Sequence, residues 1–164
     1  MTLRAIPETE LLSELEALFT EADALMAGWS CDASTLCCRF GVTGREPYVT
    51  SIELALLERG IAARGGPLPL RRRALPLADE KVEQWGGRRA KVERTCPLLD
   101  ARGRCAVYAS RPLGCRTFFC DRAASTGRIP REEIRRLVAK IEDLAARHRP
   151  DGDRARPLGR YLGV

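Results

Sequence analysis

The stretch CPLLDARGRCAVYASRPLGCRTFFC, residues 96–120, holds Cys96, Cys105, Cys115 and Cys120 within a run broken by Pro97, Gly103, Pro112 and Gly114. It has neither the three-and-four apolar spacing of a helix nor the strict alternation of a strand. It therefore reads as irregular chain that brings thiols together rather than as an element of a layered core. A second group, Cys31, Cys37 and Cys38, lies upstream in CDASTLCC, residues 31–38. Adjacent side chains point to opposite faces of a strand or diverge by about 100° around a helix. Cys37 and Cys38 are thus expected to serve one ion together only awkwardly, and more readily as one ligand plus a packing residue or as ligands to different atoms of a cluster.

On both sides of this cysteine-bearing middle the pattern turns helical. Leu11, Leu12, Leu15, Leu18, Phe19, Ala22, Leu25 and Met26 recur on one helical face over residues 8–27, with Pro7 at the entry and Gly28 at the exit. Pro130 opens a second amphipathic helix over 130–148, carrying Ile134, Leu137, Val138, Ile141, Leu144 and Ala145. Glu132 and Glu133 stand early in it, and Arg147 and Arg149 late, as the helix dipole favours. Thr50-Ser51-Ile52-Glu53 has the spacing of a capping box, predicting a short helix through Leu54, Leu57 and Glu58 that stops at Gly60. Residues 63–77, with Gly65, Gly66, Pro67, Pro69, Pro76 and Arg71-Arg72-Arg73, read as an irregular connection. A brief helix is expected over 79–85, a short strand over 90–93 and a tight turn at Asp100-Ala101-Arg102-Gly103. Beyond Pro150 and Gly152 the chain reads as a basic tail with Arg154, Arg156 and Arg160, partly disordered. The expectation is one mainly α domain over 1–164, small, irregular and metal-stabilised, with cysteine-bearing loops over 30–121 and flanking amphipathic helices.

At 164 residues the chain can bury a core without disulfide staples, and its cysteines number seven, which is odd. The first residues lack the basic stretch and apolar run of a signal peptide, and no later segment has the apolar length of a membrane span, so a cytoplasmic, reducing location and no membrane partner are expected. Thiols there stay reduced or bind metal. The formal charge of +6 comes mostly from arginine, scattered among acids. With four Phe, three Tyr and two Trp there are too few aromatics for a stacking platform, so a nucleic-acid partner is not expected, while a protein partner stays open. The sole histidine, His148, sits on the last helix far from the thiols and reads as a helix-end residue.

Seven cysteines in loops and element ends, none on an apolar stripe, point to a metal centre with Cys31, Cys37, Cys38, Cys96, Cys105, Cys115 and Cys120 as candidate ligands. There is no C-x2-C pair, which argues against a zinc knuckle, and seven thiols exceed what one tetrahedral zinc needs. An iron–sulfur cluster is therefore the expected cofactor, with zinc as the alternative. Arg39, Arg104, Arg111 and Arg116 adjoin the thiols in sequence. Arg111 and Arg116, on either side of Cys115, are expected to offset its negative charge and tune the cofactor.

These residues carry a resemblance. Cys96-Pro97, Cys105 with Tyr108, Arg111-Pro112 and Cys115-Arg116, with Cys31 and Cys37-Cys38 upstream, resemble the YkgJ-type cysteine cluster family, described as zinc- or iron-chelating proteins. The resemblance spans residues 30–121. Ser34 stands where that pattern carries a cysteine, and Cys120, just beyond the Cys-Arg, is positioned to replace it. The resemblance implies a metal without a reaction. Some members look like parts of protein-modifying enzymes, notably a flagellin lysine methylase. The sequence itself shows no cofactor-binding glycine loop, acid–base pair or activated nucleophile. Two functions follow as expectations: a cluster with a redox role or in support of a protein-modification reaction, or a zinc-fixed module that recognises a protein or nucleic acid.

Overall fold

The computed structural model describes residues 6–27, 35–66, 94–118, 130–150 and 154–164. Within them the protein is mainly helical, with α1 (Glu8–Leu25), α2 (Phe40–Thr43), α3 (Ser51–Ala63), α4 (Leu113–Arg116), α5 (Arg131–His148) and α6 (Leu158–Leu162). The only sheet among the described residues is the two-stranded pair β1 (Tyr48–Val49) and β2 (Arg156–Pro157), antiparallel with Tyr48 opposite Pro157 and Val49 opposite Arg156. The helix and strand expected over 79–85 and 90–93, most of the connection over 63–77, and Cys31, Ser34 and Cys120 lie outside the described residues.

Periodicity builds the first core. Leu11, Leu12, Leu15, Phe19 and Ala22 of α1 are buried against Leu137, Ile141, Leu144 and Ala145 of α5 and Ile52 and Leu56 of α3. Ion pairs at the rim give the direction of packing: Arg147 with Glu14 and Lys140 with Glu21 at 3.0 Å, so α5 runs antiparallel to α1. These pairs are solvent-exposed and contribute little energy; the apolar stripes hold the helices together.

The capping box at α3 forms as the spacing predicts. The Thr50 amide and hydroxyl donate to Glu53 Oε2 at 2.8 and 3.0 Å. Glu53 does more than cap: only 3 % exposed, it accepts the Leu113 amide on Oε1 at 2.9 Å and so pins the start of α4 to the start of α3. The helix does not stop at Gly60 but runs to Ala63. A glycine is needed at that position for another reason, because a Cβ there would run into the Ser110 side chain packed across the helix.

The second core is different in kind. Phe40, Val49, Leu57, Cys96, Leu98, Val107 and Leu158 are buried together, with Cys38, Cys105 and Cys115 packed against them. Most of these side chains come from turns and single-turn helices. The expectation of a partly disordered tail is corrected here for residues 154–164: β2 pairs with β1, the Leu158 amide donates to Pro47 O at 2.9 Å, and Leu158 is 1 % exposed. One buried leucine and one strand pair are enough to fold back a segment whose charges alone suggest solvent.

Candidate metal centre

Two backbone contacts join the cysteine groups. The Cys96 amide donates to Cys38 O at 2.7 Å and the Gly41 amide to Arg94 O at 3.0 Å, flanking an antiparallel bridge between Arg39 and Thr95. Downstream, the Asp100 turn forms as expected: Asp100 Oδ1 accepts the amides of Arg102 and Arg104 at 2.8 and 2.9 Å, and Gly103 takes a positive φ of 72°. That turn folds Cys105 back opposite Leu99. Pro112 then leads into α4, where Gly114 lets the backbone sit against Pro47; a Cβ at Gly114 would lie 2.7 Å from Pro47 Cβ. Cys115 thus lies in a helical turn fixed at one end by Glu53 and along its side by Pro47.

The result is a cavity of about 370 Å³ lined by Cys37, Cys38, Cys96, Cys105 and Cys115, with Phe40, Leu57, Leu98, Val107 and Leu158 as apolar wall and Arg104, Tyr108 and Arg111 at its polar part. All five described cysteines are free thiols. Cys37 and Cys38 depart from the expected divergence. Thr35 adopts a left-handed φ of 61° and starts a 3₁₀ turn over Leu36–Cys38, which brings Cys37 Sγ and Cys38 Sγ to 3.8 Å. That is far beyond a disulfide bond, whose sulfurs stand about 2.05 Å apart, and close to the spacing of two thiolates on one tetrahedral metal atom, about 3.8 Å for metal–sulfur bonds of about 2.3 Å.

The surroundings of Cys37, Cys38, Cys105 and Cys115 favour the neutral thiol. The hydrogen bond with Cys38, followed by burial, pushes the Cys37 thiol far up. For Cys38 the Cys37 contact pulls downward, but the hydrogen bond with Cys96, burial and the neighbouring thiols outweigh it, and its pKa is pushed up to about 12. Burial raises Cys105 and Cys115, in the latter aided by the charges Cys38, Cys37 and Cys105 would carry. Against all this stands Arg111, whose positive charge favours the thiolate of Cys37, Cys105 and Cys115 alike. Neutral buried thiols are poor nucleophiles; a metal is what would draw their protons off. Among the described residues no three Cys, His, Asp or Glu side chains stand close enough to hold one ion as placed.

The two arginines beside Cys115 part company. Arg111 stacks over the Tyr108 ring at 3.5 Å from its centroid, donates Nε to Tyr108 O at 3.0 Å and lines the cavity. Arg116 does not reach it. Its Nε donates to Arg111 O at 2.8 Å, one terminal nitrogen bonds Ala109 O, the other pairs with Asp23 at 2.5 Å, and the guanidinium lies over Phe19 at 4.3 Å. Arg116 therefore ties the cysteine segment to α1. Sequence proximity to Cys115 held for both, yet an α4 position one residue past a cavity-facing one points elsewhere by about 100°. Glu53 was visible in the sequence only as a cap, because its second partner lies 60 residues away. His148 ends α5 as expected, far from the thiols, with Nδ1 at 2.8 Å from Ser51 Oγ and Nε2 at 3.2 Å from Glu8 Oε2.

Among the described residues no helix is long and apolar enough to cross a membrane. Comparison with protein-family models, with curated proteins and with solved structures finds no match to this chain.

Proposed function

We propose that the chain is a metal-binding protein that holds an iron–sulfur cluster through cysteine thiolates in the cavity of its second core, and that the centre has a redox role. One observation carries this reading: five thiols from two separate stretches of chain line one cavity of about 370 Å³, more thiols than one tetrahedral ion takes. Cys37, Cys38, Cys96, Cys105 and Cys115 are the candidate ligands among the described residues, with Cys31 and Cys120 added by sequence. When bound, such a cluster supplies one-electron chemistry. Phe40, Leu57, Val107 and Leu158 form an apolar wall beside the thiols, and a less polar surrounding strengthens charge interactions there. Arg111 places a fixed positive charge beside them and favours their more negative states.

A second reading, zinc in a structural module that recognises a protein or nucleic acid, draws support from the 3.8 Å separation of Cys37 and Cys38 Sγ. A two-iron cluster, in which each iron takes two thiolates, meets that spacing as well.

Anaerobic purification followed by iron, zinc and acid-labile sulfide analysis separates them. A brown protein with iron and sulfide supports the cluster, and a colourless, zinc-loaded one supports the module. Cys115→Ser is expected to lose metal; full retention of metal in that variant removes the basis of the site.

A further inference from the structure

We propose that a second cavity, on another face of α3 and α6, binds a phosphate group, free or esterified to a small molecule. The cavity measures about 550 Å³, within the range of small-ligand sites, and is lined by Arg149, Arg154, Arg156 and Arg160. Its other polar lining is Ser51, His148 and Tyr161 with two carboxylates, Glu8 and Glu58. Both carboxylates are engaged by neutral or titratable partners: Tyr161 donates its hydroxyl to Glu58, and Glu8 faces His148 Nε2 at 3.2 Å.

The four guanidinium groups differ from the cations that are held in ion pairs between elements. Arg59, Arg94, Arg116, Lys140 and Arg147 each pair with a carboxylate of a different element. Among the described residues none of Arg149, Arg154, Arg156 and Arg160 has a carboxylate at ion-pair distance. Four like charges around one concavity repel, and an anion that enters relieves the repulsion. Two carboxylates offset two of the four, leaving an excess that suits a phosphate dianion. Guanidinium forks match phosphate oxygens in shape as well as charge. Ser51 is the first residue of the 13-residue α3, so the positive end of that helix dipole adjoins the same space. The capping box already occupies the Glu53 amide of α3, and the arginines supply the direct contacts. Asp151 and Asp153, beside Arg149 and Arg154 in sequence, lie outside the described residues, and the affinity of the intact chain reports on any charge they contribute.

The test is calorimetric titration of the full chain with pyrophosphate at low ionic strength. Saturable one-to-one binding is expected. The double variant Arg156→Gln/Arg160→Gln should weaken it about tenfold or more, as loss of charge-assisted contacts does. Arg102→Gln/Arg136→Gln removes the same charge from exposed positions outside the cavity and should stay within about twofold, the scale of screened long-range effects. Should the double variant lose its helical circular dichroism, Arg154→Gln alone carries the same comparison. Parallel titrations with inorganic phosphate and phenyl phosphate separate the two sources of the group: equal affinities assign a free-phosphate site, tighter phenyl phosphate an esterified one. No saturable binding to the wild type, or equal weakening in the two double variants, overturns the proposal.

Discussion

The helical core of α1, α3 and α5 and the cysteine core beside it are of similar burial but opposite construction. In the first, Leu15, Ala22, Ile52 and Leu137 are fully buried aliphatic residues presented at helical spacing by long elements. In the second, side chains are delivered by a 3₁₀ turn, a β-bridge, a tight turn and a single-turn helix, and they surround a cavity instead of closing on one another. An aliphatic core is stabilised by its own contacts. A thiol-lined cavity leaves part of that packing undone, and a bound metal would complete it. The two cores share α3, which sends Ile52 and Leu56 into the first and Leu57 into the second, and they are joined further by the Glu53–Leu113 hydrogen bond and the Arg116 contacts.

The largest expected effect comes from removing the metal of the proposed centre. Metal binding to the folded chain alone is folding free energy, so a chelator should lower stability by several kcal/mol and shift the melting temperature accordingly. Helical circular dichroism from α1 and α5 should largely survive. If the melting temperature does not move, the cysteine core stands on packing after all and the contrast between the cores collapses.

Next comes Leu15→Ala in the helical core, expected to cost about 3 kcal/mol from lost burial and the cavity left behind. Denaturant unfolding should show that loss while metal per folded chain stays constant. Metal lost in parallel with stability would mean that the two cores unfold as one.

The two arginines sharpen the comparison further. Arg116 is buried against Phe19 and makes three polar contacts, one to Asp23 of α1 and two within the cysteine segment, so Arg116→Gln should cost about 1–2 kcal/mol of stability, the scale of hydrogen bonds to a charged group, with the reduction potential of the proposed cluster unchanged. Arg111→Gln should do the reverse. It leaves stability nearly intact and lowers the reduction potential by tens of millivolts, on the order of 1 kcal/mol for one positive charge beside the thiols. Redox titration and urea unfolding of both variants check the pair; a potential that follows Arg116 instead would place the cofactor elsewhere.

Where the sequence was legible, the determinant was local. The apolar stripes of α1 and α5, the Thr50–Glu53 box and the Asp100 turn each place their interacting residues within a few positions, and spacing alone reports them. Where it misled, the determinant was a distant partner. Gly60 reads as a stop because glycine favours helix ends, yet its role is set by Ser110 across the helix. The tail reads as solvated because it is arginine-rich, yet Leu158 and the pairing with β1 fold it back. Arg116 reads as a neighbour of Cys115, yet Asp23 and Phe19 claim it.

By itself the sequence determined that the chain is mainly helical and that its cysteines fall in two groups among Gly, Pro and Arg, because composition and periodicity are properties of the chain alone. Only the tertiary structure decided which thiols share a cavity, which arginine joins them and which carboxylate anchors their backbone. Those depend on contacts such as Cys96 N to Cys38 O and Leu113 N to Glu53, formed between residues far apart in sequence that meet only when the helices have packed.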